Sequence, residues 1–446
     1  MSGNPYLAGN FAPVEDEISA TDLPVHGEIP EELSGRLLRI GPNPVNADPR
    51  IYHWFLGNGM VHGLRLRDGK AEWYKSRFVR DDEVTAHMHW PAVEGPEPAL
   101  AIGNGVANTN IIGHAGKTLA IVEAGNLPVE LDYDLETVGR FNFDGGLNGG
   151  FSAHPHRDPL TGELHTAVYS PMWQHIQYVR VDADGQVNHK VDVPTPGKPM
   201  VHDCSFTENY FILLDLPCTL NEGAMVEGLP FPYLWEPDYG ARIGLLPRNG
   251  DASDVTWHEV DLCYVFHPMN AYEDEQGRVV MDVVRHPRMF ATDMHGPNEG
   301  RTRLERWLID PTRSQVSTSC LDDHPQEFPR MDERLAGSSY RYGYTAEIGR
   351  DFQALGLRKH DLQEGRVSSF SQGAHRHCFE PVFVPRSDAA DEDEGWVMAY
   401  VYDEQKDASD VVILNAQDFD GEPVATIELP RRVPYGFHGN WVADTH

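Results

Sequence analysis

The chain has 446 residues, a formal net charge of −33 and a hydrophobic content of 40%. This length exceeds the roughly 250–300 residues that one hydrophobic core supports, so we expect several domains or a repeated architecture with one small core per unit. Because phosphate binding needs a positive field, the charge argues against a nucleic acid as partner, and equally against electrostatic docking on anionic lipid.

Targeting and redox signals point to one compartment. No run of about 18 apolar residues occurs, so no transmembrane helix is predicted. The N-terminus lacks the basic and apolar regions of a secretory signal. The five cysteines form no C-x-x-C pair and are odd in number, which indicates reduced thiols instead of a disulfide framework or a zinc site. We therefore predict a cytoplasmic protein.

Strand patterns dominate the chain. Runs rich in β-branched and aromatic residues predict strands at 118–123, 165–169, 210–214, 279–284, 396–402 and 411–414. Turn dipeptides such as Asp184-Gly185 lie between them, and helical patterns are limited to short pieces such as 351–357. This predicts an all-β fold, in which seven propeller blades would take roughly 64 residues each. The acidic run 391–394 is interpreted as a solvated loop.

Four histidines share one local pattern. Each closes a short apolar or aromatic run and is followed at once by Pro, Asp or Gly: His154 (F-S-A-H-P-H), His202 (V-H-D-C), His267 (V-F-H-P-M-N) and His438 (G-F-H-G-N-W). The pattern is typical of the inner end of a β-strand. Since they lie far apart in the chain, only a closed, multi-strand fold could bring them together. Four neutral imidazoles at one point would form a site for iron, zinc or copper.

Other histidines offer competing interpretations. For any single histidine before a turn, a hydrogen-bonded structural role is the ordinary one. His156 follows His154 by two residues, so on a strand it would point from the same face. His375 and His377 have strand spacing as well. We expect none of these three to join the four-histidine set.

Further sequence blocks accompany the histidines in a fixed order. They are N-P-Y-L-A-G-N-F (4–11), G-R-L-L-R-I-G-P-N-P (35–44), G-N-G-M-V-H (57–62), A-N-T-N (107–110), V-E-A-G (122–125), E-F-P-R-M-D (327–332) and E-P-V-F-V-P-R (380–386). Along its whole length the chain thus resembles the carotenoid cleavage oxygenase family, which includes apocarotenoid oxygenases and stilbene-cleaving dioxygenases. One departure is Asn58, where the family usually has Asp. We expect this change to have a structural effect at most.

The resemblance implies a fold and a set of site residues. It implies that residues 1–446 form one seven-bladed β-propeller domain, capped on one face by a dome of loops and short helices. One non-haem Fe(II) would lie on the propeller axis. The four histidines match the iron ligands, while Glu123, Glu327 and Glu380 match glutamates that accept from the distal N–H of ligating histidines. Thr109 matches a threonine that crowds a vacant coordination position.

The implied reaction is cleavage of a C=C bond by O2 into two carbonyl products. The alkene supplies the four electrons that O2 needs, so no nicotinamide, flavin or haem is expected, and no G-x-G-x-x-G or P-loop occurs. The predicted partner is a lipophilic small molecule, and no obligate protein partner is inferred. The aromatic segment 229–235 is interpreted as dome packing. Its alternatives are a tunnel lining or an apolar patch for peripheral membrane contact.

Two positions bear on which alkene is cleaved. Stilbene-cleaving relatives hold a phenol hydroxyl with a Lys directly before the first glutamate and a Tyr upstream of the A-N-T block. Here Val122 precedes Glu123, and segment 95–106 has no tyrosine. A carotenoid or apocarotenoid is therefore favoured over a stilbene or phenylpropanoid. A non-catalytic binding propeller and a propeller hydrolase are the remaining alternatives, since fold alone does not decide function. A hydrolase of this kind would be expected to hold Ca²⁺ through oxygen ligands, which the four-histidine set does not offer.

Overall fold

The computed structural model describes residues 3–97, 105–147, 149–349 and 352–444. Within these ranges the chain forms a seven-bladed β-propeller, in which each blade is an antiparallel sheet of four to six strands. This confirms the predicted all-β propeller. Alternation of buried and half-exposed residues, as in the strand His175–Val181, is what allows a blade to pack on its neighbours.

The strands are numbered in chain order. The first blade contains β1 (Ile18–Ala20), β3 (Gly35–Pro42), β4 (Gly59–Arg67), β5 (Lys70–Phe78) and β33 (Gly439–Ala443). The second contains β6 (Asn110–His114), β7 (Lys117–Ile121), β8 (Val129–Leu131) and β9 (Thr137–Arg140). The third contains β10 (His156–Arg157), β11 (Leu164–Val168), β12 (His175–Val181) and β13 (Val187–Pro194).

The remaining four blades follow the same order. The fourth contains β14 (Ser205–Phe206), β15 (Tyr210–Asp215), β18 (Arg242–Pro247) and β19 (Thr256–Glu259). The fifth contains β20 (Tyr264–Glu273), β21 (Val279–His286), β22 (Arg303–Ile309) and β23 (Ser317–Asp322). The sixth contains β24 (Gln326–Met331), β25 (Tyr342–Ile348), β26 (Ala354–Asp361) and β27 (Arg366–Phe370). The seventh contains β2 (Val25–Gly27), β28 (Arg376–Cys378), β29 (Val382–Pro385), β30 (Gly395–Asp403), β31 (Ala408–Asn415) and β32 (Ala425–Glu428).

Both chain ends close the ring. The C-terminal strand β33 pairs with β3, with Leu38 opposite Asn440. The N-terminal strand β2 pairs with β32, with Val25 opposite Ile427. The first blade therefore takes an edge strand from the end of the chain, and the seventh takes one from its beginning. Such closure leaves the ring without a free end at which blades could separate.

Aromatic side chains pack neighbouring blades together. Tyr178 of the third blade stacks on Phe211 of the fourth, with ring centroids 4.0 Å apart. Tyr344 of the sixth blade stacks on Phe383 of the seventh at 5.6 Å. Tyr178, Phe211 and Tyr344 are fully buried. Contacts of this kind contribute about 0.5–1.5 kcal/mol each beyond the burial of area.

A dome of connecting segments covers one face. It contains the helices α1 (Asp82–Met88) and α2 (Glu222–Val226), the short helical turn Trp54–Leu56 and the hairpin of β16 (Cys218–Leu220) and β17 (Tyr233–Trp235). Side-chain caps begin both α-helices: Asp81 accepts from Val84 N at 2.8 Å, and Asn221 accepts from Ala224 N at 2.9 Å. Across the described ranges, no helix has the length and apolar character needed to cross a membrane.

One local prediction from the sequence is wrong, and another is only partly right. Residues 354–357 of the predicted helix 351–357 begin strand β26, which pairs with both β25 and β27; residue 351 lies outside the described residues. The acidic run 391–394 is a loop, as predicted, but only Asp391 is exposed and the other three residues are half-buried. Glu392 accepts from the backbone N–H groups of Arg341 and Tyr342, both at 2.6 Å, and Asp393 pairs with Lys359. In both cases tertiary pairing outweighs local sequence preference.

Asn58 joins the first blade to α1. It is buried, and its Nδ2 donates to Asp81 at 3.0 Å and to Glu83 at 3.2 Å, while its Oδ1 accepts from Val45 N. Burial raises the pKa of Asp81 to about 6. An Asp at position 58 would place a third carboxylate here and remove the amide that both acids accept from. The departure from the family pattern is therefore matched to its neighbours.

We predict that Asn58→Asp destabilises the protein by about 1–3 kcal/mol at pH 8, because two buried hydrogen bonds are replaced by repulsion between carboxylates. At pH 5, below the pKa of Asp81, the paired carboxyls share a proton and the loss should be much smaller. Urea unfolding at both pH values measures the difference. Asn249→Asp, on an exposed turn, is the control, and an equal loss at both pH values would contradict the argument.

Candidate metal centre

The four histidines singled out in the sequence lie together, on or just before the first or innermost strands of their blades. The Nε2 atoms of His154 and His202 are 3.0 Å apart, those of His202 and His267 are 3.1 Å apart, and those of His267 and His438 are 3.1 Å apart. All four side chains are buried. Their ligand atoms lie within 4.8 Å of one another, so one ion could contact all four.

The blades place these histidines at equivalent points. Three of them come just before the first or innermost strand of a blade. His438 directly precedes β33, whereas His154 and His202 lie a few residues before β10 and β14. His267 lies within β20, where the pairing register with β21 shifts between Val265 and Pro268. A bulge of this kind re-aims a side chain. Pro268 contributes to it because proline has no N–H for the sheet.

Carboxylates hold the Nδ1 side of two of these rings. Glu327 lies 2.6 Å from His267 Nδ1 and 2.8 Å from His286 Nε2. Glu380 lies 2.9 Å from His438 Nδ1 and accepts from Gly439 N at 2.7 Å. The pKa of each carboxyl is well below its usual range, since neighbouring cationic and N–H groups outweigh the opposing effect of burial.

The other two histidines have looser partners. Glu123 Oε2 lies 2.9 Å from His202 Nδ1, although the two atoms are not aligned as a hydrogen bond. His154 Nδ1 lies 3.7 Å from Asp203. Asp203 is buried and accepts instead from His156 Nε2 at 2.6 Å. A fourth carboxylate thus stands beside the fourth histidine.

The donor set fits a cation. A neutral imidazole carries one N–H. Where the proton is on Nδ1 and donates to a carboxylate, the Nε2 atom has a free lone pair that can bind a metal. Burial lowers the pKa of His154 well below its usual value and that of His438 to about 4. At His267, burial opposes protonation but Glu327 outweighs it and raises the pKa. Converging lone pairs at 3.0–3.1 Å repel one another unless a positive ion lies between them, and neutral imidazoles suit first-row divalent metals.

Two cavities reach the histidines. One, of about 350 Å³, lies under the dome and is walled mainly by apolar side chains, among them Phe55, Val122, Phe231, Phe266, Phe352 and Phe437. Its volume is within the range of small-molecule sites. The other, of about 190 Å³, is more polar and includes His154, His156 and Asp203. Both share His267, Phe328 and His438.

Comparison with known proteins identifies the family. The family model described as retinal pigment epithelial membrane protein matches residues 11–443. A carotenoid cleavage oxygenase of Mycobacterium tuberculosis is 42% identical, over 100% of this chain and 98% of the relative. The chain belongs to the carotenoid cleavage oxygenase family. The resemblance predicted from the sequence is confirmed.

Solved structures of the family share the fold. The lignostilbene dioxygenase of Pseudomonas brassicacearum superposes with a TM-score of 0.90 at 29% identity, covering 99% of this chain and 98% of the other. A cobalt-substituted apocarotenoid oxygenase of Synechocystis superposes with a TM-score of 0.87 at 28% identity, covering 97% of each chain. One of these two relatives is thus named for a lignostilbene and the other for an apocarotenoid, and the second was obtained with cobalt.

The structure also gives the positions of the other residues singled out from the sequence, relative to the cavity and the four histidines. Thr109 is buried on the wall of the apolar cavity, and its hydroxyl donates to Asn108 Oδ1 at 2.9 Å. His375 and His377 stand apart from the four-histidine set: the first contacts Glu404, and the second contacts Tyr435. Val122 lines the cavity. Residues 98–104 of the tyrosine-free segment lie outside the described residues.

The aromatic segment 229–235 has two roles in the structure. Its end, Tyr233–Trp235, is strand β17 of the dome. Phe231 faces the cavity and stacks on His53, with ring centroids 4.1 Å apart. The predicted dome packing and its tunnel-lining alternative therefore describe different residues of the same segment.

Several contributors to the site were not found from the sequence. Asp203 directly follows His202 in V-H-D-C, which was the available signal for a buried acid at the centre. His286, the second partner of Glu327, has no local signal because it lies on β21 and approaches only through sheet pairing. Arg330, 3.2 Å from Glu380, lies in the quoted block E-F-P-R-M-D but was given no role.

Strained backbone follows two of the glutamates. Ala124, after Glu123, has φ = 64°, and Phe328, after Glu327, has φ = 53°. Such conformations cost about 1–3 kcal/mol each and persist where the surroundings enforce them. Next to Glu123, the backbone at Gly125 is held by close contact with Gly150. A Cβ added to Gly150 would lie only 2.5 Å from the Gly125 carbonyl carbon. The backbone that carries Glu123 therefore has a fixed place.

We predict that Gly150→Ala lowers stability by about 2–4 kcal/mol, because the methyl group adds a backbone clash to the cost of a positive φ. Gly145→Ala is the matched control. Its φ is also positive, at 91°, but nothing lies within 4 Å of the added Cβ, so a loss of about 1 kcal/mol is expected. Urea unfolding measures both. Equal losses would show that the contact with Gly125 does not constrain this backbone.

Proposed function

We propose that this protein binds one Fe(II) through His154, His202, His267 and His438 and uses O2 to cleave a C=C bond of a carotenoid or apocarotenoid. The observation that supports this most directly is the convergence of four buried imidazole Nε2 atoms, together with the apolar cavity that His202, His267 and His438 line. Both oxygen atoms of O2 end in the two carbonyl products. The alkene supplies the four electrons, so no reductant is needed.

Bound Fe(II) would supply a redox-active centre at which O2 and the alkene can meet. The chain's own residues set its surroundings. Glu327 and Glu380 accept hydrogen bonds from Nδ1 of His267 and His438, which leaves the Nε2 atoms of these two rings free as ligands. Glu123, 2.9 Å from His202 Nδ1, adds negative charge that would help to balance the ion. The four imidazole ligands are neutral, so the negative charge of the three nearby carboxylates would compensate the positive charge of a buried divalent cation.

The cavity walls position the alkene and exclude water. Phe55, Phe266, Phe352 and Phe437 surround the space beside the histidines, so a polyene is stabilised there by burial of its apolar surface. Phe328 stacks on the His267 ring, with centroids 5.5 Å apart. Thr109 lines the same wall, and we propose that it crowds one coordination position and so limits which small molecules enter. The main contributions of the protein are then to position the alkene beside the metal site and to exclude water from the cavity.

A stilbene or phenylpropanoid is the second candidate substrate. It is supported by the likeness to the lignostilbene dioxygenase. Against it, Val122 lines the cavity at the position where stilbene-cleaving relatives have the lysine that holds the phenol, and a valine offers no hydrogen bond there. A carotenoid or apocarotenoid substrate is favoured by the similarity to the carotenoid cleavage oxygenase of M. tuberculosis and by the apolar walls of the cavity.

Metal content tests the ligand set. The protein reconstituted with Fe(II) without O2 and then desalted should retain about one iron per chain, measured by plasma mass spectrometry. His202→Ala removes one ligand and should abolish tight retention, while Glu327→Gln should weaken affinity about 10–100-fold. His375→Ala, which removes an exposed histidine, is the control. Full retention by His202→Ala, or equal loss in the control, would contradict the assignment.

The activity test uses two alkenes under ¹⁸O2. Iron-loaded protein is incubated with an apocarotenal or with 4-hydroxystilbene, and the products are identified by mass spectrometry. We expect labelled aldehydes from the apocarotenal, with one ¹⁸O in each product when exchange with water is controlled, and at least about tenfold slower cleavage of the stilbene. Cleavage of the stilbene alone would overturn the substrate assignment. No cleavage of either by iron-loaded protein would overturn the proposed reaction.

A further inference from the structure

Three polar side chains link the inner strands of separate blades along the wall of the polar cavity. They are Arg330 on β24, Asn440 on β33 and Asn110 on β6, which belong to the sixth, first and second blades. We call these three residues the polar belt. The same cavity is lined by His154 and His438, so the polar belt lies beside two of the four histidines.

Hydrogen bonds run through the polar belt in one direction. Arg330 Nη2 donates to Asn440 Oδ1 at 2.8 Å, and Asn440 Nδ2 donates to Asn110 Oδ1 at 2.9 Å. Asn110 Nδ2 then donates to the backbone oxygen of Ala153 at 2.9 Å. Ile111 fixes both amide orientations, because its N–H donates to Asn110 Oδ1 and its oxygen accepts from Asn440 Nδ2, both at 2.8 Å.

A bulge in β24 allows Arg330 to reach the polar belt. On a regular strand Glu327 and Arg330, three residues apart, would point to opposite faces of the sheet. The pairing register with β25 shifts between these two residues, and Phe328 between them has φ = 53°. The bulge re-aims the side chains, so that Glu327 contacts His267 while Arg330 contacts Glu380. One strand therefore acts on the carboxylate side of two metal-ligand histidines.

The first end of the polar belt holds the segment that carries His438. Arg330 Nη1 donates to Glu380 Oε1 at 3.2 Å and to the backbone oxygen of Gly439 at 2.9 Å. Glu380 Oε1 is also the atom that lies 2.9 Å from His438 Nδ1. The N–H of His438 donates to the oxygen of Thr109, the residue before β6, at 3.1 Å. Arg330 thus fixes both the carboxylate behind the His438 ring and the residue that follows it.

The other end of the polar belt holds the backbone in front of His154. Ala153, whose oxygen accepts from Asn110, is the residue directly before this histidine. The ring of His154 has a looser partner than that of His438, since Asp203 lies 3.7 Å from its Nδ1. The place of His154 therefore depends more on its backbone, and Asn110 holds that backbone from the neighbouring blade.

We propose that the polar belt positions His154 and His438 so that one ion can bind both. Their rings are neighbours, with centroids 4.4 Å apart, but they come from the third and first blades. A connected hydrogen-bond network limits the movement of its members, and a metal site needs its ligands held within about 0.5 Å. The members of the polar belt are positioning residues, because they act through Glu380 and through backbone next to the ligands. The inference rests on the metal site of the proposed function and adds residues beyond the three glutamates.

Co(II) binding tests the polar belt. The affinity is measured by competition with a chelator, and the visible absorption of bound Co(II) reports the number and arrangement of its ligands. Asn110→Ala removes the link to Ala153 and should weaken Co(II) binding about tenfold and change the absorption. Arg330→Met cuts the other end and should have the same two effects, so the test does not depend on the folding of one variant.

Asn270→Ala is the matched control. Asn270 is a buried asparagine on β20, the inner strand of the fifth blade, and like Asn110 it makes three hydrogen bonds. Its Nδ2 donates to the oxygens of Leu335 and Ser338, and its Oδ1 accepts from Gly337 N. Asn270→Ala should lower the free energy of unfolding as much as Asn110→Ala does. Its Co(II) affinity should stay within about twofold of the wild type, with the same absorption.

The outcomes separate positioning of the ligands from general stability. Unchanged Co(II) affinity in either Asn110→Ala or Arg330→Met would overturn the polar belt, and so would an equal loss in Asn270→Ala. Failure of the wild type to hold Co(II) would overturn the metal site and the polar belt together. The measurement uses neither O2 nor an alkene, so failure of the cleavage reaction is a separate result.

Discussion

The convergence of four imidazole Nε2 atoms is the constraint on which the rest of this structure depends. Distances of 3.0–3.1 Å between such atoms are unfavourable for lone pairs, so each ring must be held from behind. Glu327 and Glu380 do this with short contacts to Nδ1. The propeller supplies the only other requirement, a rigid frame that brings the first strands of several blades to one axis.

Closure of the ring is what makes that frame rigid. His438 directly precedes β33, the strand that completes the first blade from the C-terminal end. The fourth histidine is therefore in place only when the chain has closed on itself. A metal that binds all four would stabilise the closed ring against opening, since anything that binds the folded state alone shifts the equilibrium toward it. Fold and centre depend on each other at this strand.

Much of the fold and the inner site could be predicted from sequence because their signals are local. Each histidine closes a strand-like run, and each glutamate lies in a block that matches the family. The failures have a physical pattern as well. Residues 354–357 read as helical but are held in a sheet by neighbours on both sides. His286 and Asp203 contribute through pairing and packing that no short window of sequence contains.

The departure at Asn58 shows how one side-chain amide can serve two neighbouring carboxylates. From the sequence alone, Asn in place of Asp at position 58 is expected to have little effect, because the position lies at a predicted turn. In the structure it is the shared donor to Asp81, which caps α1, and to Glu83, which faces the cavity. Removing that donor would weaken the helix start and misplace the cavity acid together, because the same amide serves both.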